Sequence, residues 1–85
     1  MRLNFGSILH ACRTRAGISQ ERLAELLNKS RSCISKYEQG HKLPDIQTFL
    51  AWIDRTNAKD VGIACINGMD PASILQSILQ VAGVA

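Results

Sequence analysis

The fold of this 85-residue chain is decided by residues 18–40, which read ISQERLAELLNKSRSCISKYEQG. Ser19 and Ser30 each stand where a hydroxyl can accept a hydrogen bond from a free N–H in the first turn of a helix. Asn28 follows the first apolar run, and asparagine tolerates a positive φ better than any residue except glycine. Gly40 is placed to end the second run. The pattern predicts two short helices joined by a tight turn.

The second of these helices has one apolar and one polar face. Ile34 and Tyr37, three residues apart, are predicted to point inward. The opposite face carries Arg31, Ser32, Ser35 and Lys36. A polar helix face on a small domain is usually only solvated. This one follows a tight inter-helical turn and includes two basic residues, which favours a nucleic acid as its partner.

A first helix is predicted over residues 4–16. Its apolar residues recur at helical spacing and define one buried stripe, with Ile8 on the flank. The stripe consists of Phe5, Leu9, Cys12 and Ala16. Cys12 is therefore interpreted as a small core residue. Gly17 is well placed to end the helix in a left-handed conformation.

A fourth helix is predicted over residues 46–55, with Asp45 as its N-cap. Its predicted buried stripe has the spacing i, i+3, i+4 and i+7 and consists of Ile46, Phe49, Leu50 and Ile53. Trp52 lies off that stripe. The pattern leaves open whether Trp52 covers an edge of the core or faces a partner subunit.

The segment after residue 56 gives weaker signals. A fifth helix is favoured over residues 58–66, with Asn57 and Asp60 in the positions of a capping box. Residues 61–66 are also rich in β-branched side chains, so a short strand is the alternative. Asp70 followed by Pro71 indicates the start of a last helix.

This last helix is predicted over about 71–82 and has a broad apolar stripe. The stripe consists of Ile74, Leu75, Ile78, Leu79 and Ala82. Within the 85 residues no later segment is available to cover it. It either folds back on the small core or meets its own copy in a second chain, and its breadth favours the second arrangement.

The charge is unevenly distributed along the chain, whose formal net charge is +3. Residues 1–55 contain nine basic and five acidic side chains, whereas residues 56–85 contain one basic and two acidic side chains. A basic part followed by an apolar tail suggests a nucleic-acid surface and then an assembly surface within one domain. Charge alone fits an ordinary solvated surface equally well.

Several other classes of protein are disfavoured by the composition. Three cysteines without a close pair and two distant histidines, His10 and His41, indicate neither a disulfide framework nor a metal site, and no cofactor is expected. Paired carboxylates, a nucleophile–base set and a phosphate-binding glycine loop are missing, so an enzyme is not expected. We expect no signal peptide and no segment able to span a bilayer, which predicts a cytoplasmic protein.

By these features the chain resembles the Cro/repressor-type (XRE-like) helix-turn-helix DNA-binding proteins of phages and bacteria. The resemblance covers residues 5–55, with Asn28 where the family usually has glycine and Tyr37 where it usually has an aliphatic residue. The matching positions include Arg13, Gly17, Ser19, Gln20, Leu23, Ala24, Ser30, Ile34, Glu38, Gly40 and Pro44. It implies an all-α, compact lambda-repressor-like bundle of about five helices with a C-terminal helix for self-association.

The resemblance also implies roles for individual residues. Gln20 corresponds to a residue that donates to a backbone phosphate, and Lys29 and Lys42 look like further phosphate contacts. The base-reading positions correspond to Arg31, Ser32, Ser35 and Lys36. Arg13 and Glu38 correspond to two positions that, in the family, form an ion pair between the first and third helices. The resemblance implies a structural role for this pair.

Together these features predict a sequence-specific transcriptional regulator. We expect a homodimeric repressor of phage or mobile-element type that binds a palindromic double-stranded operator, with no membrane or small-molecule partner. Residues 1–56 would be the helix-turn-helix core, and residues 57–85 would complete the core and form the dimer interface. Interface residues would be Ile74, Leu75, Ile78 and Leu79. The alternative is a DNA-binding antitoxin, or another interaction module, whose C-terminal helix binds a partner protein.

Overall fold

A computed structural model of the chain describes residues 5–68, most of which are helical. The helices are α1 (Phe5–Arg15), α2 (Gln20–Leu27), α3 (Arg31–Gln39), α4 (Ile46–Arg55) and α5 (Lys59–Ile66). Residues 5–68 contain no strand, so the predicted all-α bundle is confirmed, and the fifth segment is a helix. The helix predicted over 71–82, including Ile74, Leu75, Ile78 and Leu79, lies outside the described residues.

The tight turn between α2 and α3 has the predicted construction. The Ser19 hydroxyl accepts a hydrogen bond from the backbone N–H of Arg22 at 3.0 Å, and the Ser30 hydroxyl accepts one from Cys33 at 3.1 Å. Asn28 ends α2 in the left-handed conformation, with φ of 57°. Local hydrogen bonds therefore define the end of α2 and the start of α3, which fixes the angle between the two helices.

The core lies where α1 packs on α3, α3 on α2, and α4 on both α2 and α5. Its largest fully buried side chains are Ile8, Leu9, Cys12, Leu23, Ile34 and Trp52. Burial raises the pKa of the Cys12 thiol to about 12, which agrees with its interpretation as a core residue. Ala16 is exposed, contrary to the predicted stripe, because α1 already ends at Arg15.

Gly6 allows α1 and α3 to approach each other closely. A Cβ atom at this position would lie 2.5 Å from the backbone oxygen of Glu38, well inside van der Waals contact. Any larger residue would force the two helices apart. The crossing of α1 and α3 thus depends on the absence of a side chain at Gly6.

The stripe predicted for α4 is right for Ile53, which is buried, and for Phe49, which packs against the core, but it is wrong for Ile46 and Leu50. Ile46 is 69% exposed and Leu50 is 55% exposed, whereas Trp52 is fully buried. Trp52 reaches across to α1, where its Nε1 donates to the Leu9 carbonyl oxygen at 3.1 Å. Burying this large ring rotates α4 so that Thr48, and not Ile46, faces the core. Trp52 is therefore a core residue.

The capping box predicted at the start of α5 is also wrong. Asn57 has a left-handed φ of 55° and ends α4, where the backbone N–H of Ala58 donates to the Ile53 carbonyl at 2.9 Å. The Asp60 carboxylate binds both terminal nitrogens of Arg15, at 3.0 and 3.1 Å. Helix α5 begins without a side-chain cap, and this part of the chain packs on the core through Ala58, just before the helix, and Val61 within it.

Candidate nucleic-acid interface

Arg13 and Glu38 form a buried ion pair that joins α1 to α3. Nε of Arg13 donates to Oε2 of Glu38 at 2.6 Å, and Nη2 donates to Oε1 at 3.2 Å. Nη1 of Arg13 donates to the backbone oxygen of Ile18, in the connection before α2, at 2.7 Å. One guanidinium therefore holds α1, α3 and the start of α2 in a fixed arrangement.

The Glu38 carboxylate accepts two further hydrogen bonds on Oε1. Nδ1 of His10 lies 2.9 Å from this oxygen, and Nε2 of Gln20 donates to it at 3.1 Å. Burial by itself raises the pKa of Glu38, but the hydrogen bonds from Arg13, His10 and Gln20 outweigh burial and lower it below its ordinary value. Glu38 is consequently ionised at neutral pH, although its side chain is almost inaccessible.

Gln20 is the first residue of α2, where free backbone N–H groups and the positive end of the helix dipole lie. Its side chain is oriented by the hydrogen bond to Glu38, which uses one of the two amide hydrogens. The second amide hydrogen remains available to an acceptor outside the protein. This position suits the predicted phosphate contact.

The outer face of α3 carries the residues that sequence analysis assigned to base reading. Arg31, Ser32 and Lys36 are exposed, and Ser35 is half-buried. The Ser35 hydroxyl accepts a hydrogen bond from Nε2 of Gln39 at 3.1 Å. Because the opposite face of α3 is packed in the core, these four side chains are presented from a rigid helix.

Arg31 makes an ion pair with Glu21 of α2. Its Nε lies 2.7 Å from Oε1 of Glu21, and both side chains are more than half exposed. Exposed ion pairs of this kind contribute little to stability. Arg31 can therefore exchange Glu21 for another acceptor at small cost.

The two lysines predicted to contact phosphates flank α3 in the chain. Lys29 is exposed in the turn before Ser30, and Lys42 is exposed just after Gly40. Nζ of Lys42 lies 3.8 Å from Sγ of Cys33 and 5.6 Å from the centre of the Tyr37 ring. The cation–π contact with the ring keeps the Lys42 ammonium beside α3, and the side chain stays exposed to solvent.

Sequence analysis assigned no role to His10 or Glu21, although both contact residues of this surface. His10 lies three residues before Arg13, so helical spacing places the two on one face of α1. That spacing is a signal that could have identified His10. The contact between Glu21 and Arg31 joins two helices and has no local signature.

Within residues 5–68 no group of three or more His, Cys, Asp or Glu side chains could hold a metal ion. The same part of the chain has no helix that is both long and apolar enough to cross a membrane.

Comparison with known proteins agrees with this geometry. The family model described as "Helix-turn-helix" (HTH_3) matches residues 9–60. A curated relative, the "SPbeta prophage-derived uncharacterized HTH-type transcriptional regulator YonR" of Bacillus subtilis (strain 168), is 46% identical over 44 residues. The match covers 52% of this chain and 41% of the relative, so it spans about two fifths of the relative's length. No solved structure matches the chain.

We expect Glu38→Gln to lower the free energy of unfolding at pH 7 by about 3 kcal/mol, because Arg13 stays charged and buried without its carboxylate. The lowered pKa of Glu38 gives a stabilisation that is present above the ordinary value of 4.5 and is lost as the pH falls through the folded-state value. The difference between wild type and variant should therefore shrink on acidification. Urea denaturation over a pH series measures it.

Glu25→Gln is the matched control for this prediction. Glu25 is an exposed carboxylate 3.7 Å from Arg22 on the same helix. Its removal should change the free energy of unfolding by less than about 0.5 kcal/mol. Equal effects of the two variants, or a pH-independent cost of Glu38→Gln, would contradict a structural role for the buried pair.

Proposed function

The chain belongs to the helix-turn-helix family of Cro/XRE type, and we propose that it is a phage-type or mobile-element repressor that binds a palindromic operator as a homodimer. The observation that carries this proposal is the exposed polar face of α3, whose opposite face is packed in the core. The relative's name, a prophage-derived HTH-type transcriptional regulator, supports the biological setting.

In the proposed complex each subunit places α3 in a major groove. Arg31 exchanges Glu21 for O6 and N7 of a guanine, which accept both donors of the guanidinium fork. Lys36 reaches a guanine or a phosphate, while Ser32 and Ser35 permit a close approach. A bound dimer occludes the promoter, and its site of action is the cytoplasm, on chromosomal DNA.

Three side chains are proposed to contact backbone phosphates and so to set the position of α3 in the groove. Gln20 donates from the N-terminus of α2, where the helix dipole also favours an anion. Lys29 and Lys42 contribute charge on either side of α3 along the chain. These contacts supply affinity for any sequence, and the residues on α3 supply the preference among sequences.

The two parts of the chain are proposed to divide recognition from assembly. Residues 1–56 would form the DNA-binding core. Residues 57–85 would complete it, and the packing of Ala58 and Val61 against the core supports the first part of that assignment. We propose that the dimer forms through Ile74, Leu75, Ile78 and Leu79. Half-sites would then lie about one helical turn apart, on the order of 34 Å.

Arg31→Ala and Lys42→Ala should have different effects on DNA binding. Arg31→Ala should cost about 1–3 kcal/mol on the preferred site and relax the base preference at one position of each half-site. Lys42→Ala should weaken binding to all sequences and reduce the slope of log affinity against log salt by about one unit. Fluorescence anisotropy on preferred and scrambled duplexes measures both effects.

Two control variants match these changes. Arg31→Lys keeps the charge but removes the fork, so it should retain nonspecific affinity and lose base preference. Lys59→Ala removes a lysine at the start of α5 and should leave both kinds of binding unchanged. If Arg31→Ala and Lys42→Ala weaken specific and nonspecific binding alike, α3 is not the reading element.

We expect the purified chain to have a solution mass near twice its 9.3 kDa, because the C-terminal stripe is proposed to pair with its own copy. Ile78→Asp should convert the dimer to a monomer, since it places a charge on each side of the symmetric interface. Gln76→Asp adds the same charge off the stripe and should leave the mass unchanged. Light scattering after size exclusion measures this, and a monomeric or aggregating wild type would favour a missing partner protein.

A further inference from the structure

His10 connects the buried ion pair to the exposed surface at the start of α2. Its side chain is 54% exposed, although its Nδ1 lies 2.9 Å from Oε1 of Glu38, a side chain that is only 4% exposed. Nε2 of Gln20 donates to the same oxygen at 3.1 Å. The imidazole and the amide proposed to bind a phosphate therefore share one acceptor and lie side by side where α1, α2 and α3 meet.

The contact with Glu38 determines which ring nitrogen of neutral His10 carries the hydrogen. An ionised carboxylate only accepts hydrogen bonds, so the hydrogen must be on Nδ1. Nη2 of Arg13 lies 3.3 Å from the same nitrogen and can only donate, but the contact with Glu38 is shorter, at 2.9 Å, and requires the hydrogen on Nδ1. Nε2, on the ring edge away from Glu38, is left with a lone pair.

A phosphate beside Gln20 would interact oppositely with the two charge states of His10. The lone pair of neutral Nε2 offers a phosphate oxygen no hydrogen and repels its charge. Protonated Nε2 donates a hydrogen bond, and the imidazolium adds a positive charge. The facing charged groups are Arg13 on α1 and the ionised Glu38 on α3, while α2 contributes the uncharged Gln20.

We propose that His10 is an additional phosphate contact that acts only when protonated, so that binding to DNA takes up a proton at this residue. The inference rests on the proposed function, because it requires a backbone phosphate at Gln20. Ionised Glu38 on the other side of the ring offsets the charge that His10 gains. DNA affinity should thus increase as the pH falls.

The test measures the affinity of the full chain for a labelled duplex of arbitrary sequence by fluorescence anisotropy, from about pH 6 to about pH 8 at constant ionic strength. An arbitrary sequence is sufficient because phosphate contacts do not read bases. Wild-type affinity should fall as the pH rises, by at most about tenfold per pH unit for each subunit that takes up a proton.

Two variants of His10 and one control separate this contact from other titrations. His10→Gln keeps a neutral donor for Glu38 and should abolish the pH dependence. His10→Lys keeps a cation across the range and should bind with little pH dependence, retaining its affinity at alkaline pH. His41→Gln removes the other histidine of the chain and should leave the pH dependence intact. Circular dichroism verifies that each variant is folded.

The outcomes distinguish the inference from the function on which it rests. Failure of the wild type to bind DNA at any pH would overturn the proposed function. Binding that does not vary with pH, or a pH dependence that survives in His10→Gln or His10→Lys, would overturn the inference alone. Loss of the pH dependence in His41→Gln would likewise reject His10 as the titrating contact.

Discussion

The buried pair of Arg13 and Glu38 is the interaction on which the arrangement of the helices depends. Burying two charges is costly, so the pair contributes more to orientation than to net stability. It persists because each nitrogen of Arg13 and each carboxylate oxygen of Glu38 has a hydrogen-bond partner. Its contacts reach α1, α3 and the connection before α2. Gly6 brings the backbones of α1 and α3 into close approach near the same place. The outward face of α3 therefore has a fixed orientation relative to α1 and α2.

Much of this fold could be predicted from sequence because its decisive signals are local. Ser19, Ser30 and Asn28 act within one or two turns of their own position, and each has the role that its chemistry predicts. The buried face of α4 could be predicted only in part, because the pattern identifies Ile53 but not Trp52. It is set by a contact between Trp52 and Leu9, which are 43 residues apart. The apolar pattern of Ile46 and Leu50 is equally regular but faces outward.

The candidate site likewise contains residues that the sequence identifies and residues that it does not. The side chains on α3 are identified by their position after the turn, and the partnership of Arg13 with Glu38 follows from family resemblance. Glu21 escapes sequence reasoning because its partner Arg31 lies on another helix, whereas the spacing of His10 and Arg13 on α1 is a local signal for His10. Through these contacts the polar residues of α1, α2 and α3 form one connected surface. Gln20 is oriented by the same carboxylate that holds α3, so phosphate binding and base reading would depend on one anchor.

The most direct measurement is the selection of bound sites from a pool of random DNA duplexes by the full chain. A dimer that presents two copies of α3 should enrich a palindromic sequence whose half-sites are centred about 10 base pairs apart. A guanine should recur at the position that Arg31 reads in each half-site. A pool without enrichment, or one enriched in a single asymmetric site, would contradict a homodimer that reads DNA through α3.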